Sequence, residues 1–199
     1  MNIRQSRLLK LVLSGVLGLS ALLGAGSAMA FAGVWQSVAI EGQSFSVQKG
    51  DFIRYGVTDI PDCSTNACTG SWAYKGAYAD GTMYCNNQEW GGDPYPNRAK
   101  NCERMVNFGG TTYGTAVALR FVVDESSSNV SAAISQRGWT TSTCQSSASV
   151  PCDRVHYVGF HSDGSAGYNF TTLNGSQTCS NASYGDPDWG VQKYCFIPK

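Results

Sequence analysis

Residues 81–102 read GTMYCNNQEWGGDPYPNRAKNC, and residues 175–195 read GSQTCSNASYGDPDWGVQKYC. Both stretches follow one pattern, G-x3-C-x-N-x2-aromatic-G-(G)-D-P-x5-K-x-C, and they differ in length by one glycine. A pattern that recurs with its cysteines in place predicts a duplicated structural unit in which each copy carries its own disulfide. The fold is therefore expected to consist of two related halves.

The match between the two stretches continues upstream. Tyr74 and Tyr168 stand 94 residues apart, as Cys85 and Cys179 do. The further matches are residues 53–55 with 155–157, and Gly33-Val34-Trp35 with Gly138-Trp139. The spacing differs by eight residues upstream, which places an insertion containing Cys63 and Cys68 in the first copy. We therefore predict repeat copies over residues 31–104 and 138–199, joined by a bridging β segment over residues 105–137.

The first thirty residues have the pattern of a secretory signal peptide. Arg4, Arg7 and Lys10 precede an apolar run over residues 11–23, and Ala28-Met29-Ala30 forms a small-x-small cleavage site. The apolar run is short for a membrane span. The chain is therefore expected to be secreted, extracellular or periplasmic, and not inserted in the membrane after cleavage.

Composition narrows the function classes. The chain has 199 residues, of which 14% are charged and 12% aromatic, and its formal net charge is zero. Removal of residues 1–30 takes away three of the 14 cations and none of the 14 anions, so the mature chain carries a net charge of −3. This balance argues against a nucleic-acid partner and against binding to polyanions.

All eight cysteines follow the predicted cleavage site, and an even number in an exported chain indicates disulfides. Cys144 and Cys152 in copy two correspond to Val38 and Phe45 in copy one, and their joint absence there favours a bonded pair. Metal binding is disfavoured because the chain has no CxxC motif and no zinc-like array of cysteines and histidines. The predicted disulfides are Cys63–Cys68, Cys85–Cys102, Cys144–Cys152 and Cys179–Cys195. Each closes a short loop and is expected to contribute about 2–4 kcal/mol.

The mature chain lacks helical periodicity and alternates short β-rich runs with turns, which predicts an all-β fold. Two units of this size are each marginal alone, so we expect one compact, pseudo-symmetric and disulfide-stapled body, a β-sandwich or a barrel-like fold. The predicted strands are Ser44–Val47, Phe52–Tyr55, Ser71–Tyr78, Thr115–Val123, Val130–Ile134, Arg154–Phe160 and Gly167–Thr172.

Each copy contains an Asp-Pro step, at Asp93 and Asp186. An aspartate carboxylate can accept hydrogen bonds from backbone N–H groups of a turn, and proline fixes the following φ. Three residues after the proline stand Asn97 and Gly190, the residue types that tolerate positive φ. A structural role for both aspartates is therefore favoured over contact with a ligand, which stays an alternative.

These residues resemble a small module of secreted bacterial and fungal proteins that often accompanies carbohydrate-active enzymes. Copy one carries its A-x-E-G run at residues 39–42, a V-R-Y-G-like run at residues 53–56, and the block from Cys85 to Cys102. Copy two lacks the A-x-E-G run and has His156 in place of arginine. The resemblance implies binding of an extracellular glycan or a cell surface, because of the proteins in which such modules occur.

The favoured hypothesis is a secreted binding protein for a polysaccharide or glycoconjugate, without catalysis of its own and without a cofactor. Aromatic rings can stack on the apolar faces of sugars, and polar side chains can hydrogen-bond the hydroxyl groups. Two copies would allow bivalent binding. Core packing is the stronger explanation for the aromatic residues that recur in both copies, such as Trp90 and Tyr184, and an equally strong one for Trp189. The candidate ligand-binding residues are Arg54, Trp90, Asp93, Tyr95, Tyr184, Asp186 and Trp189.

Two other function classes stay open. A protein-interaction factor such as an inhibitor, adhesin or toxin component could use the Cys63–Cys68 loop as its contact. A small glycan-active hydrolase or lyase would need paired carboxylates or an activated serine. It is disfavoured because no GxSxG motif is present and because Glu41 and Glu89 are expected to lack acidic counterparts in copy two. Its candidate residues are Glu41, Glu89, Asp93, Asp186, Asp188, His156 and His161. The sequence does not define the oligomeric state.

Overall fold

The computed structural model describes residues 33–58, 70–108, 117–126, 129–141 and 151–199. The predicted signal peptide, the Cys63–Cys68 loop and Cys144 lie outside these residues. None of the helices in the described ranges has the length and apolar character needed to cross a membrane. The elements in chain order are β1 (Gly33–Ile40), β2 (Ser44–Val47), β3 (Phe52–Val57), β4 (Ser71–Gly76), β5 (Gly81–Tyr84), β6 (Asn101–Phe108), β7 (Leu119–Asp124), α1 (Val130–Gln136), β8 (Arg154–Phe160), β9 (Ala166–Thr172), α2 (Asn181–Tyr184) and β10 (Lys193–Pro198).

Most of the described strands form two four-stranded antiparallel sheets, so the predicted all-β class is confirmed. The first sheet has the order β1-β6-β3-β4 and belongs to the first half of the chain, up to residue 108. The second sheet has the order β7-β10-β8-β9 and belongs to the second half, from residue 117. In the first sheet the last strand, β6, lies between β1 and β3. In the second sheet the last strand, β10, lies between β7 and β8 in the same way. Strands β2 and β5 form a separate two-stranded ladder.

The two sheets pack face to face through an aromatic core. Phe52 on β3 lies with its ring centroid 4.7 Å from that of Tyr194 and 5.0 Å from that of Phe196, both on β10. Alternation along the strands produces this contact, because every second side chain points to the same face. The core residues shared by the two sheets are Phe52, Met105, Phe108, Val117, Leu119, Phe121, Val158, Phe160, Ala166, Tyr194 and Phe196.

The opposite face of each sheet carries a second cluster that contains a disulfide. Cys85–Cys102 lies among Ile53 and Tyr55 of the first sheet, and Cys179–Cys195 lies among Val155 and Tyr157 of the second sheet. These two predicted disulfides are therefore confirmed. Cys152 is also disulfide-bonded. The pairings Cys144–Cys152 and Cys63–Cys68 stay predictions, because each includes a residue outside the described ranges.

One predicted strand is wrong: residues 130–134 lie in helix α1. The Asn129 side chain accepts a hydrogen bond from the Ala132 amide at 3.0 Å and caps the helix. Val130, Ala133 and Ile134 are buried at the i, i+3 and i+4 spacing of a helix. Val130 and Ile134 are β-branched residues, which favour a strand in so short a segment, but the cap and the burial at helical spacing decide for a helix.

The segment predicted as a bridge, residues 105–137, supplies a strand to the second sheet. Strand β7 pairs with β10 as β1 pairs with β6, so β7 occupies the position of β1 in the second sheet. The predicted match of Trp35 with Trp139 fails for the same reason. Trp35 packs against the core between the sheets, whereas Trp139 packs against the outer cluster of the second sheet.

His156 on β8 makes the stability of the fold dependent on pH. The imidazole is 1% exposed, and burial together with the Arg154 charge lowers its pKa to about 4. The unfolded chain takes up a proton on this histidine below about pH 6.5, whereas the native chain does so only near pH 4. The free energy of unfolding is therefore expected to fall by up to about 3 kcal/mol between pH 6.5 and pH 4.

The substitution His156→Gln should flatten this pH dependence in denaturant unfolding measured from pH 7 to pH 4. The control is Val34→Thr, because Val34 is 47% exposed and carries no titratable group; this variant should keep the wild-type slope. Equal slopes in wild-type protein and His156→Gln would contradict the assignment.

Candidate functional site

A polar cluster lies beside the disulfide of the first half. The hydroxyl oxygen of Tyr55 lies 2.9 Å from Glu41 Oε1 and 2.7 Å from Asn87 Oδ1. The backbone N–H of Lys100 donates to Glu41 Oε2 at 3.2 Å, and the Tyr55 ring stacks on Trp90 with centroids 5.7 Å apart. Burial and the Glu41 carboxylate raise the pKa of Tyr55, so this side chain stays a neutral phenol. The cluster joins β3 to the turn that follows β1 and to the loop that follows β5.

The second half contains the same contacts on different residues. The Tyr157 hydroxyl oxygen lies 2.6 Å from Glu125 Oε1 and 2.8 Å from Asn181 Oδ1. The Lys193 N–H donates to Glu125 Oε2 at 3.2 Å, and the rings of Tyr157 and Tyr184 stack at 5.3 Å. Glu125 thus has the role that Glu41 has in the first half.

The expectation that Glu41 lacks an acidic counterpart in the second half is therefore wrong. Glu125 follows β7 directly, as Glu41 follows β1, but it lies inside residues 105–137, which were predicted to be a bridge. The alignment of Trp35 with Trp139 placed the start of the second copy after Glu125. The backbone contacts agree with the new match, because Glu41 N–H donates to Lys100 O at 2.9 Å and Glu125 N–H donates to Lys193 O at 2.8 Å.

Each Asp-Pro turn is held by a buried lysine. Asp93 Oδ1 lies 2.9 Å from Lys100 Nζ and accepts the Tyr95 N–H at 3.0 Å. Asp186 Oδ1 lies 3.0 Å from Lys193 Nζ and accepts the Asp188 N–H at 3.0 Å. The two lysine side chains are only 3% and 4% exposed. These contacts give both aspartates a structural role.

The contacts around the turns lower the pKa of both carboxyl groups. Burial opposes ionisation of Asp93, but the hydrogen bonds from Lys100 and Tyr95 outweigh it and lower its pKa. The hydrogen bond from Lys193 is the largest effect on Asp186 and lowers its pKa as well. Both turns therefore keep their ionic contacts in neutral and mildly acidic solution. The predicted positive φ is confirmed at Asn97, with 63°, and at Gly190, with 84°.

Trp189 stands out from the other predicted ligand-binding residues because its side chain is 89% exposed. It follows Asp188 in the turn that Asp186 fixes. The loop rests on Gly159 and Gly167, which face each other across β8 and β9. A Cβ atom on Gly167 would lie 2.6 Å from Pro187 O, and a Cβ atom on Gly159 would lie 2.8 Å from Val191 Cγ2. The tryptophan is therefore presented to solvent by a loop that lies directly on the sheet backbone.

Asp188, the residue before Trp189, pairs with His161, which lies in the turn between β8 and β9. His161 Nε2 lies 2.5 Å from Asp188 Oδ2, and the side chains of these two residues are 39% and 19% exposed. The Tyr74 hydroxyl donates to the His161 carbonyl at 2.9 Å, which anchors the turn between β8 and β9 to the first sheet. The arrangement combines an aromatic ring with hydrogen-bonding groups on a supported loop.

The remaining predicted ligand residues are more enclosed. Tyr184 is 8% exposed and stacks on Tyr157. Trp90 is half-buried and donates its indole N–H to Tyr84 O at 3.0 Å. Tyr95 is also half-buried, in the Asp93 turn. Trp90, Asp93 and Tyr95 thus belong to the first half, and Tyr184, Asp186 and Trp189 belong to the second half.

Arg54 is held inside the protein rather than presented to a ligand. Its guanidinium group lies 4.4 Å from the Trp35 ring centroid and 3.8 Å from the Trp72 ring centroid. Its Nη2 also lies 2.5 Å from Glu103 Oε2, and the Arg54 side chain is 13% exposed. These contacts explain Arg54 as a cross-strand ion pair of the first sheet.

Two of the candidate catalytic carboxylates, Glu41 and Asp93, share the Lys100 ammonium group, at 3.5 Å and 2.9 Å from its Nζ. Glu41 contacts Tyr55 and Lys100, Glu89 pairs with Lys75 at 2.5 Å, and Asp188 pairs with His161. His156 is buried on the face that carries the core between the sheets. The contacts of these groups are accounted for by ion pairs and by packing.

Sequence reasoning missed the exposed Tyr84. It ends β5, directly before Cys85, and is 53% exposed. The available indication was the difference between the copies, because Thr178 precedes Cys179 at the matching place. An aromatic residue that only one copy has is not required by the shared packing.

No family model, no curated protein and no solved structure matches this chain. The resemblance to the small secreted module therefore stays an expectation based on the motif, and a function is argued from the geometry of the site.

The buried lysines should have similar effects on stability. We expect Lys100→Met and Lys193→Met each to lower the free energy of unfolding by about 2 kcal/mol, because removal of the ammonium group leaves the facing carboxylates without their cation. The cost stays below that of a fully enclosed pair because the aspartates keep contact with water. Lys75→Met is the control, since the Lys75 side chain is 45% exposed, and it should change stability by less than about 0.5 kcal/mol. Urea unfolding of the oxidised proteins measures all three, and equal values for the three variants would contradict the account.

The close contact between the Trp189 loop and Gly167 can be tested with Gly167→Ala. The added methyl group meets the Pro187 carbonyl, so the loop has to shift, and we expect a loss of about 1–3 kcal/mol together with faster exchange of the Asp188 amide proton. Gly81→Ala is the matched control, because a Cβ atom there meets nothing within 4 Å. Hydrogen exchange and thermal unfolding report on both variants. An unchanged exchange rate of the Asp188 amide proton in Gly167→Ala would show that the loop does not depend on its contact with Gly167.

Proposed function

We propose that the protein is a secreted binding protein that recognises carbohydrate, as a polysaccharide or a cell-surface glycoconjugate, without catalysis of its own. The observation that carries the proposal is Trp189, a tryptophan with 89% of its side chain exposed on a supported loop. Tryptophan is usually well buried, so this degree of exposure calls for an explanation. A flat ring held open to solvent suits the apolar face of a pyranose ring.

The neighbouring groups support the same ligand class. Asp188 directly precedes Trp189 and pairs with His161, and this pair offers a donor and acceptors to sugar hydroxyl groups. The loop is fixed by the Asp186 contacts and by its packing on Gly159 and Gly167. Binding therefore costs little conformational entropy in the loop. A ligand with hydroxyl groups around an apolar face satisfies both parts of this surface.

Secretion is part of the proposal. The basic start at Arg4, Arg7 and Lys10, the apolar run and the Ala28-Met29-Ala30 site support export. The two confirmed disulfides are compatible with an oxidising compartment. The net charge of −3 after cleavage favours a neutral glycan over a polyanionic one.

The decisive experiment measures retention of the mature protein on a panel of insoluble polysaccharides, namely cellulose, chitin, xylan, β-1,3-glucan and mannan. We expect wild-type protein to bind at least one of them, Trp189→Ala to weaken that binding about tenfold or more, and Trp189→Phe to retain part of it. The melting temperature of Trp189→Ala should stay close to that of wild type, because the lost side chain is exposed.

Val34→Thr is the control for the loss of an exposed apolar side chain away from the loop, since Val34 is 47% exposed at the start of β1. This variant should bind like wild type. Binding to none of the polysaccharides, or full binding by Trp189→Ala, would overturn the proposal.

A further inference from the structure

A second surface with an exposed aromatic ring lies in the first half of the chain. An open cleft of about 580 Å³ lies beside the end of β5, and its volume falls in the range of known ligand sites, about 300–1,000 Å³. Strand β4 contributes one wall, and the loop that follows β5 contributes the other. The residues that line the cleft are Lys75, Tyr84, Asn86, Gln88 and Glu89.

The walls of the cleft are held in place by internal contacts. Lys75 Nζ lies 2.5 Å from Glu89 Oε1 and 3.3 Å from Glu89 O, so the ion pair joins the two walls. Asn86 Oδ1 accepts the Glu89 N–H at 2.9 Å, which fixes the loop. Trp90 donates its indole N–H to Tyr84 O at 3.0 Å. The Cys85–Cys102 disulfide anchors the same loop to β6.

The chemistry of the lining selects a class of ligand. Tyr84 is 53% exposed and presents an aromatic ring. The amide groups of Asn86 and Gln88 combine donors and acceptors, as a pair of adjacent sugar hydroxyl groups requires. The charges of Lys75 and Glu89 neutralise each other, so the cleft has no net preference for an anion or a cation.

We propose that this cleft is a second carbohydrate subsite, which binds a neutral pyranose unit by stacking on Tyr84 and by hydrogen bonds to Asn86, Gln88 and the Lys75–Glu89 pair. This inference rests on the proposed function. It adds a second binding site and specifies that the sugar bound there is uncharged. An acidic sugar gains nothing at a lysine that already has its carboxylate partner. A neutral sugar finds an apolar ring and polar groups of both kinds.

The second half has different residues at the positions that match the lining of this cleft. Thr178 and Ser180 flank Cys179, where Tyr84 and Asn86 flank Cys85. Asn169 takes the place of Lys75, and its short amide side chain donates to Tyr184 O at 3.0 Å. The aromatic ring and the long cation of the first half are therefore absent from the matching positions. The subsite belongs to the first half, whereas the exposed Trp189 belongs to the second half.

The substitution Tyr84→Thr tests the subsite, because threonine is the residue that the second half carries at this place and because it suits a strand. The probes are the soluble neutral oligosaccharides that correspond to the polysaccharide retained by wild-type protein, with a uronic-acid oligosaccharide as the charged comparison. Titration calorimetry on the full mature chain gives the dissociation constants. We expect Tyr84→Thr to weaken binding of the neutral probe about tenfold, with Val34→Thr unchanged.

Backbone amide NMR shifts supply a second readout that does not depend on affinity alone. The neutral probe should shift the amides of residues 84–89 in wild-type protein and in Trp189→Ala, but not in Tyr84→Thr. If the neutral probe shifts only residues around Trp189, or if Tyr84→Thr binds as wild type does, the subsite is overturned while the proposed function stands. If the acidic probe binds at residues 84–89 more tightly than the neutral one, the assignment of ligand charge is wrong. If no probe binds to wild-type protein, both the subsite and the proposed function fail.

Discussion

The fold depends on one buried lysine in each half, Lys100 and Lys193, whose ammonium group must stay in contact with carboxylates. An ammonium group withdrawn from water is costly unless anionic and polar groups surround it. Lys100 meets this requirement with Asp93 and Glu41, and these contacts join the end of β1, the Asp-Pro turn and the start of β6. Lys193 has the same requirement in the second half, where its ammonium group pairs with the Asp186 carboxylate. A shift of any one of these segments would leave a charge unpaired, so the lysines fix where the loops return to the sheets.

The same requirement explains which parts of the fold were visible in the sequence. The cysteines, the Asp-Pro steps and the lysines stand at nearly constant spacing, because each takes part in one local contact set, and the predictions made from them hold for Cys85–Cys102 and Cys179–Cys195. Glu125 was missed because its partners, Tyr157 and Lys193, lie 32 and 68 residues further along the chain. A contact between distant segments leaves no fixed spacing. Strand β7 was consequently assigned to a bridge.

Residues on the surface follow a different rule. The polar clusters recur in both halves because folding requires them, whereas an exposed side chain is not constrained by packing. Trp189 stands where the first half has Pro96, and Tyr84 stands where the second half has Thr178. The recurrent aromatics Trp90 and Tyr184, which the sequence placed among the ligand candidates, stack instead on the tyrosines of the polar clusters. Packing therefore explains the repeated aromatics of this chain, whereas it does not explain the unrepeated and exposed Trp189 and Tyr84.

The core between the sheets determines how the proposed binding by the two halves should be studied. Phe52 contacts Tyr194 and Phe196 across the interface, and the Phe121 N–H donates to Gly50 O at 2.7 Å. Separation of the halves would expose these rings and break this hydrogen bond, so an isolated copy would lose binding through unfolding as well as through loss of avidity. Single substitutions in the whole chain avoid this ambiguity. Because Trp189 and Tyr84 are exposed and lie in different halves, their contributions to the proposed binding can be tested separately without disturbing the core that both halves share.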